Sequence, residues 1–382
     1  MNQFDSFDDV IARCCRGEVR LSRLDLYALS GPSRAEAALF AQRWPGLPVQ
    51  DRRGILRTLV ESAEANFELD FNDLYRLILD DPDDEVRLLA VEGLWEDEDP
   101  ALASRLARML RDDASDEVRA AAALSLGRYA LRAELGDLDP RLVKVVTQAL
   151  LAAVNDPEEL AQVRARAVES IAYLDLDQVR GIIDRAYNED SRLMQASAIF
   201  AMGRSGDGYW ADTVLRELES AEPEARFEAA HAAGELQLAA AVPALIGFLD
   251  ENDRELQEMA VWALGQIGGE QAKDALEAIL ASDNDPLFEA ADEALAELML
   301  GASPLLLFDY AGEQDEGHEH EEADDDDDLT DDDLEDEVPD EEEDLDDELD
   351  DEDDLYDGDD DDPEDDDPED GVEDDEEDDE LS

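Results

Sequence analysis

Histidine, cysteine, paired carboxylates and glycine-rich loops are the usual carriers of protein chemistry, and this sequence offers few of them at useful spacing. Three histidines occur among 382 residues: His231, His318 and His320. The adjacent pairs His318-Glu319 and His320-Glu321 lie in a run of acids, where a peptide without a core cannot preorganise a metal site. His231 would be the base of any Ser-His-Asp or Cys-His arrangement, and nothing in the pattern places Cys14 or a particular serine beside it. Cys14 and Cys15 are neighbours, too few for a disulfide framework or a zinc site, and read as reduced thiols on or under a helix. The stretch Gly203-Arg204-Ser205-Gly206-Asp207-Gly208 has the glycines of a phosphate loop, but no strand precedes it, so it reads as a turn. Leu355 stands where a calcium-loop template before Gly358 needs Asp or Asn. The expectation is a non-enzymatic protein with no catalytic residue, metal or cofactor.

Charge divides the chain in two. The net charge is −81. Residues 311–382 hold 49 acids and no Lys or Arg, leaving a body of net −32. A field of that sign repels phosphate, so no nucleic-acid partner is expected. No run approaches the roughly 20 apolar residues of a membrane span. The first ten residues carry Asp5, Asp8 and Asp9 where a secretory leader needs bases, so the expected location is the cytoplasm.

The elements that must position any site come from an internal repeat. A ten-residue pattern (aliphatic, often Arg, two variable, Ala, two variable, small, aliphatic, often Gly) starts at Val86, Val118, Val163, Met194, Ala225, Leu256 and Leu287. The last four steps are each 31 residues, and the one long step holds an insertion with Gly136 and Pro140. Acidic, turn-forming clusters such as Asp80-Asp81-Pro82-Asp83-Asp84 precede the pattern and read as helix starts, with Asp capping and Pro in the first turn. Gly at the pattern's end reads as a left-handed helix stop, most clearly at Gly268-Gly269. A second apolar-periodic run precedes each cluster, and no alternating β pattern appears. The unit is helix, loop, helix, turn.

The Asp-rich loop, the Val-Arg pair, the spaced alanines and the Leu-Gly ending resemble HEAT repeats, in the short bacterial form of phycobilin-lyase-type proteins, over residues 82–300. The resemblance implies an all-α, right-handed α-α superhelix stabilised by nearest-neighbour stacking. It also implies that the second-position Arg joins a ladder of loop acids, interrupted here where Arg87, Arg119, Arg164 and Arg226 give way to Gln195, Gln257 and Phe288. HEAT-like deoxyhypusine hydroxylases hold two irons with His-Glu pairs on repeat helices, which this body lacks. The expected organisation is a helical cap with divergent repeats (1–80), a solenoid (81–302), a linker (303–312) and a disordered polyacidic tail (313–382).

A partner surface can be sought by helix phase. At about 100° per residue, positions 1, 5, 8 and 9 of the pattern share the buried side, and positions 3 and 7 point away from it. Position 7 holds Phe200, His231 and Trp262 in consecutive repeats, with Phe227 at position 3 one turn before His231. This row is either an exposed groove for a peptide or, if the repeats curve more tightly, packing between them. The leading expectation is a protein-binding scaffold or adaptor using the concave face, with a protein partner, a basic one being a further expectation. The alternative is a phycobilin-lyase-like or chaperone-like accessory protein acting on a bound chromophore or client. Residues 1–60 hold nine Arg against seven acids, so tail docking on that Arg-rich region is a further expectation.

Overall fold

The structure, a computed structural model, describes residues 6–281 and 286–301. The chain divides into two compact units, Met1–Asp315 and Glu316–Ser382, and all described residues belong to the first. The expected acidic tail, its linker, His318 and His320 lie outside the described residues.

Eighteen α-helices and no strand occur among the described residues. In chain order they are α1 (Phe7–Cys14), α2 (Arg23–Leu29), α3 (Arg34–Arg43), α4 (Val49–Ala65), α5 (Asn72–Ile78), α6 (Asp84–Gly93), α7 (Pro100–Asp112), α8 (Asp116–Glu134) and α9 (Pro140–Asn155). They continue as α10 (Ala161–Ile171), α11 (Val179–Tyr187), α12 (Arg192–Arg204), α13 (Ala211–Glu217), α14 (Pro223–Glu235), α15 (Val242–Phe248), α16 (Arg254–Ile267), α17 (Glu270–Leu280) and α18 (Phe288–Gly301). The even-numbered helices from α4 to α18 each pack on the next, forming one continuous row. Each odd-numbered helix from α5 to α17 packs against the even-numbered helix that follows it. The first unit is an all-α repeat solenoid, and its even-numbered helices from α6 to α18 carry the ten-residue pattern. The first helices α1, α2 and α3 pack among themselves and onto α5.

Local chemistry explains the starts. Asp83, Ser115, Ser191 and Asp253 accept hydrogen bonds from the backbone N–H of Val86, Val118, Met194 and Leu256. In these four helices the cap serves the amide of the pattern's first residue, satisfying a donor the helix leaves free, whereas α10 and α14 have no side-chain cap. Asp99-Pro100 and Asp139-Pro140 open α7 and α9 with Pro in the first turn. The Asp-Pro steps read from sequence fall differently: Pro82 precedes the capping Asp83, and Pro157 lies in a turn ahead of α10. The alanines at position 5 (Ala90, Ala122, Ala167, Ala198, Ala229, Ala260 and Ala291) are fully buried. Position 6 is buried from α6 to α16 as well, because every even helix has a neighbour on both sides.

The terminal glycines of the pattern have a different role from the one their position suggests. Gly127, Gly203, Gly234 and Gly265 lie inside their helices. A Cβ on Gly203 would sit 2.7 Å from Ala232 Cα, and one on Gly265 would sit 2.8 Å from Ala294 Cβ. These residues lack side chains so that the next helix can approach. The left-handed stop is found at Gly268 and Gly269, with φ of 67° and 89°.

The second-position arginines form the ladder. Arg87 holds Asp113 with two bonds, Arg119 holds Glu159, Arg164 holds Glu189, and Arg226 reaches Glu251 at 3.2 Å; Arg53, on α4 ahead of the first copy, extends the ladder by holding Asp83 with two bonds. Arg87, Arg119 and Arg226 also donate to the carbonyl six residues earlier. Gln195 and Gln257 keep that local bond, to Glu189 and Glu251 carbonyls, but make no bridge to the next loop among the described residues. The ladder is interrupted there.

Candidate functional site

The position-7 row is stacked, not splayed. The Phe200 and His231 rings lie 5.1 Å apart at 3°, and the His231 and Trp262 rings 5.0 Å apart at 15°. The Arg204 guanidinium lies over the Phe200 ring at 5.1 Å and over the Tyr173 ring at 5.6 Å. The expectation that position 7 faces solvent is therefore corrected for His231, which is 8% exposed, and for Glu169, also buried. Phe200 and Trp262 are half-buried. The cause is the glycine spacing: a Cβ on Gly234 would lie 2.7 Å from Trp262 Cζ3, so the bare backbone makes room for the indole. Phe227 is half-buried against the core and joins no ring pair among the described residues.

Burial fixes the charge state inside this row. His231 Nδ1 has no hydrogen-bond partner among the described residues, and Nε2 lies 3.5 Å from Glu235, which Arg204 holds at 2.8 Å. Desolvation, aided by the Arg204 charge, lowers the imidazole pKa to about 4. One turn earlier, Glu228 is raised to about 7 by burial and by repulsion from Glu169, against the pull of Arg166. Ser197 Oγ and Arg166 each donate to Glu169 at 2.6 Å.

An open groove of about 620 Å³ lies further toward the N-terminus, over α4, α6, α8 and α10. Leu88, Glu92 and Trp95 line it at i, i+4 and i+7 on or just beyond α6, and Ala120, Leu124 and Arg128 line it at i, i+4 and i+8 on α8. Trp95 is 47% and Leu124 52% exposed. Alanines at 120 and 121 leave the space above α8 empty. Leu124 is the seventh residue of the copy that starts at Val118, and Trp95 the tenth of the copy that starts at Val86, a position the sequence analysis does not single out. The signal was present, because position 10 holds only Gly or Ala in the other six copies.

Cys14 is buried, its thiol pushed up to about 11 by desolvation, and Cys15 is exposed; both are free. Among the described residues, no group of three or more His, Cys, Asp or Glu is arranged to hold a metal ion, and no helix is long and apolar enough to cross a membrane. In the Arg-rich start, Arg13, Arg16, Arg52, Arg53 and Arg57 already face Asp25, Glu18, Asp81, Asp83 and Glu85.

The family model for HEAT repeats matches residues 72–172 and 211–296. No curated protein matches the chain. Among solved structures, Escherichia coli YibA is 18% identical, with 61% of this chain and 93% of that one covered and a TM-score of 0.35. Human deoxyhypusine hydroxylase in complex with glycerol is 22% identical, with 70% and 96% covered and a TM-score of 0.30. A designed armadillo repeat protein is 19% identical, with 51% and 99% covered and a TM-score of 0.32. The family match covers α5 to α10, α13 to α17 and the first part of α18, paired helices of the stack described above, and the chain is a HEAT-repeat protein.

Proposed function

We propose that this protein is a non-enzymatic cytoplasmic scaffold that binds protein partners on the open face of its even-numbered helix row, chiefly in the groove over α4 to α10. The observation that carries the reading is the pair Trp95 and Leu124, two large apolar side chains exposed in one groove. Contiguous apolar exposure rimmed by polar groups is a mark of recognition surfaces. Its size suits one or two anchoring side chains of a peptide. The free, adjacent thiols of Cys14 and Cys15 fit a reducing compartment. The Phe200–His231–Trp262 row, sealed ring against ring, serves the stacking of repeats, and partner binding falls to the groove.

Affinity capture from cells with the full chain and with a Trp95→Ala/Leu124→Ala variant tests the reading. Specific partners should be retained by the wild type and lost by the variant, while melting temperature changes by no more than a few degrees. Identical partner sets for both proteins would overturn it.

A further inference from the structure

The charges around the groove are unequally satisfied, and that inequality names the partner's chemistry. Most arginines of the body have an acid: Arg87, Arg119, Arg164 and Arg226 are in the ladder, and Arg166 is on Glu169. In the groove the balance reverses. Glu64, Glu92 and Glu117 line it with Arg128 and Arg166, and none of the three acids makes an ion pair among the described residues; Glu117 accepts a hydrogen bond from Ser115 Oγ at 2.8 Å, which lowers its pKa, so Glu64 and Glu92 are the unanswered pair. The Glu92 carboxyl is raised by desolvation against the groove wall and by the neighbouring Glu64 charge. Arg128, the groove's other cation, donates Nη1 to the Trp95 carbonyl at 3.0 Å and lies over the Tyr129 ring. Its Nε and Nη2 have no partner among the described residues. Those two N–H groups match a backbone carbonyl of an incoming chain, which leaves Glu64 and Glu92 facing an apolar surface without a cation.

Resting on the scaffold reading above, we infer that the groove receives a peptide segment carrying a bulky apolar side chain beside a lysine or arginine. The apolar side chain lies on Trp95 and Leu124, and the cation lies between Glu64 and Glu92. Glu92, near the end of α6, accepts at its carbonyl from the Trp95 N–H at 3.1 Å in the turn that follows, so both anchors are within one turn of each other. A lysine or arginine stem can pack along the apolar surface while its head reaches the carboxylates. Ion pairing at such a partly shielded site sets specificity more than affinity, because partners of the wrong charge are rejected.

A displayed library of random dodecapeptides, selected at about 0.15 M salt against full-length wild type, Glu64→Gln/Glu92→Gln and Trp95→Ala, tests the inference. All three proteins carry the same acidic C-terminal sequence, so any basic preference that it contributes is common to them. Wild type should enrich sequences with an aromatic or leucine next to Lys or Arg. The double glutamine variant should keep the apolar preference, lose the basic one and bind wild-type-selected peptides roughly tenfold more weakly, the scale of one charge-assisted bond. An unchanged basic preference in that variant, or enrichment of acidic peptides, overturns the inference and leaves the scaffold reading standing. Enrichment that is indifferent to Trp95→Ala overturns the scaffold reading itself.

Discussion

At the residue scale, two titratable groups on α14 oppose each other across pH. His231 titrates near 4 in place of 6.5, so the unfolded chain binds a proton that the folded one refuses. Its contribution is whole above pH 6.5 and is lost as pH falls toward 4. Glu228 titrates near 7 in place of 4.5, so its burial costs stability as pH rises from 4.5 through 7 and the cost is relieved on acidification. Each shift corresponds to at most about 3 kcal/mol, and the two offset between pH 4.5 and 6.5. Glu228→Gln should therefore raise the melting temperature at pH 8 and unmask a steeper fall below pH 6.5. His231→Phe, which keeps the stack, should flatten that fall. Melting curves of the three proteins from pH 4 to 8 check both signs. Trp262→Ala removes one of the two rings that sandwich the imidazole. It should cost about 3 kcal/mol, and the His231 ring protons should titrate closer to 6.5 by NMR.

At the element scale, the even helices are held by what their glycines lack. Gly203→Ala brings a methyl to 2.7 Å from the Ala232 backbone, and overpacking of that kind costs about 1–3 kcal/mol. Gly54, inside α4, meets nothing within 4 Å, so Gly54→Ala should gain about 0.5–1 kcal/mol from helix propensity. Opposite shifts in melting temperature from the same substitution would separate contact glycines from incidental ones. The loop ladder gives a parallel comparison. Arg87→Ala strands the mostly buried Asp113 carboxylate and removes the bond to the Asp81 carbonyl, a loss of about 3 kcal/mol. Arg87→Gln should lose less, because Gln195 and Gln257 show that glutamine still reaches the carbonyl six residues back. These elements were legible in sequence because buried alanines and loop acids recur at fixed phase. The function of the position-10 glycines was not, since a helix stop and a close approach select the same residue. Nor was the burial of His231: helix phase describes one helix, while its cover comes from Phe200 and Trp262 on the neighbouring two.

At the scale of the whole solenoid, stability is a sum over neighbours, so a unit removed in register should be tolerated where one removed out of register is not. Deleting residues 204–234 takes out 31 residues and joins Gly203 to Glu235, the same step as Gly234 to Glu235. Helix α12 then occupies the place of α14, and Phe200 meets Trp262 directly in the ring stack. Gly203 replaces Gly234 beside the indole, so the close approach that Trp262 needs is preserved. One repeat's burial and the Arg226–Glu251 bridge are lost. The groove over α4 to α10 lies outside the deletion. The shortened protein should keep its mean residue ellipticity at 222 nm, unfold cooperatively at a lower temperature, and select the same peptides as wild type. Removing residues 211–217 alone, which are α13 without its partner α14, breaks the pairing of odd and even helices and should leave the apolar side of α14 uncovered. That variant should bind a hydrophobic dye and aggregate on heating. If the in-register deletion behaved no better, the near-neighbour account of this stack would fail, whatever the groove binds.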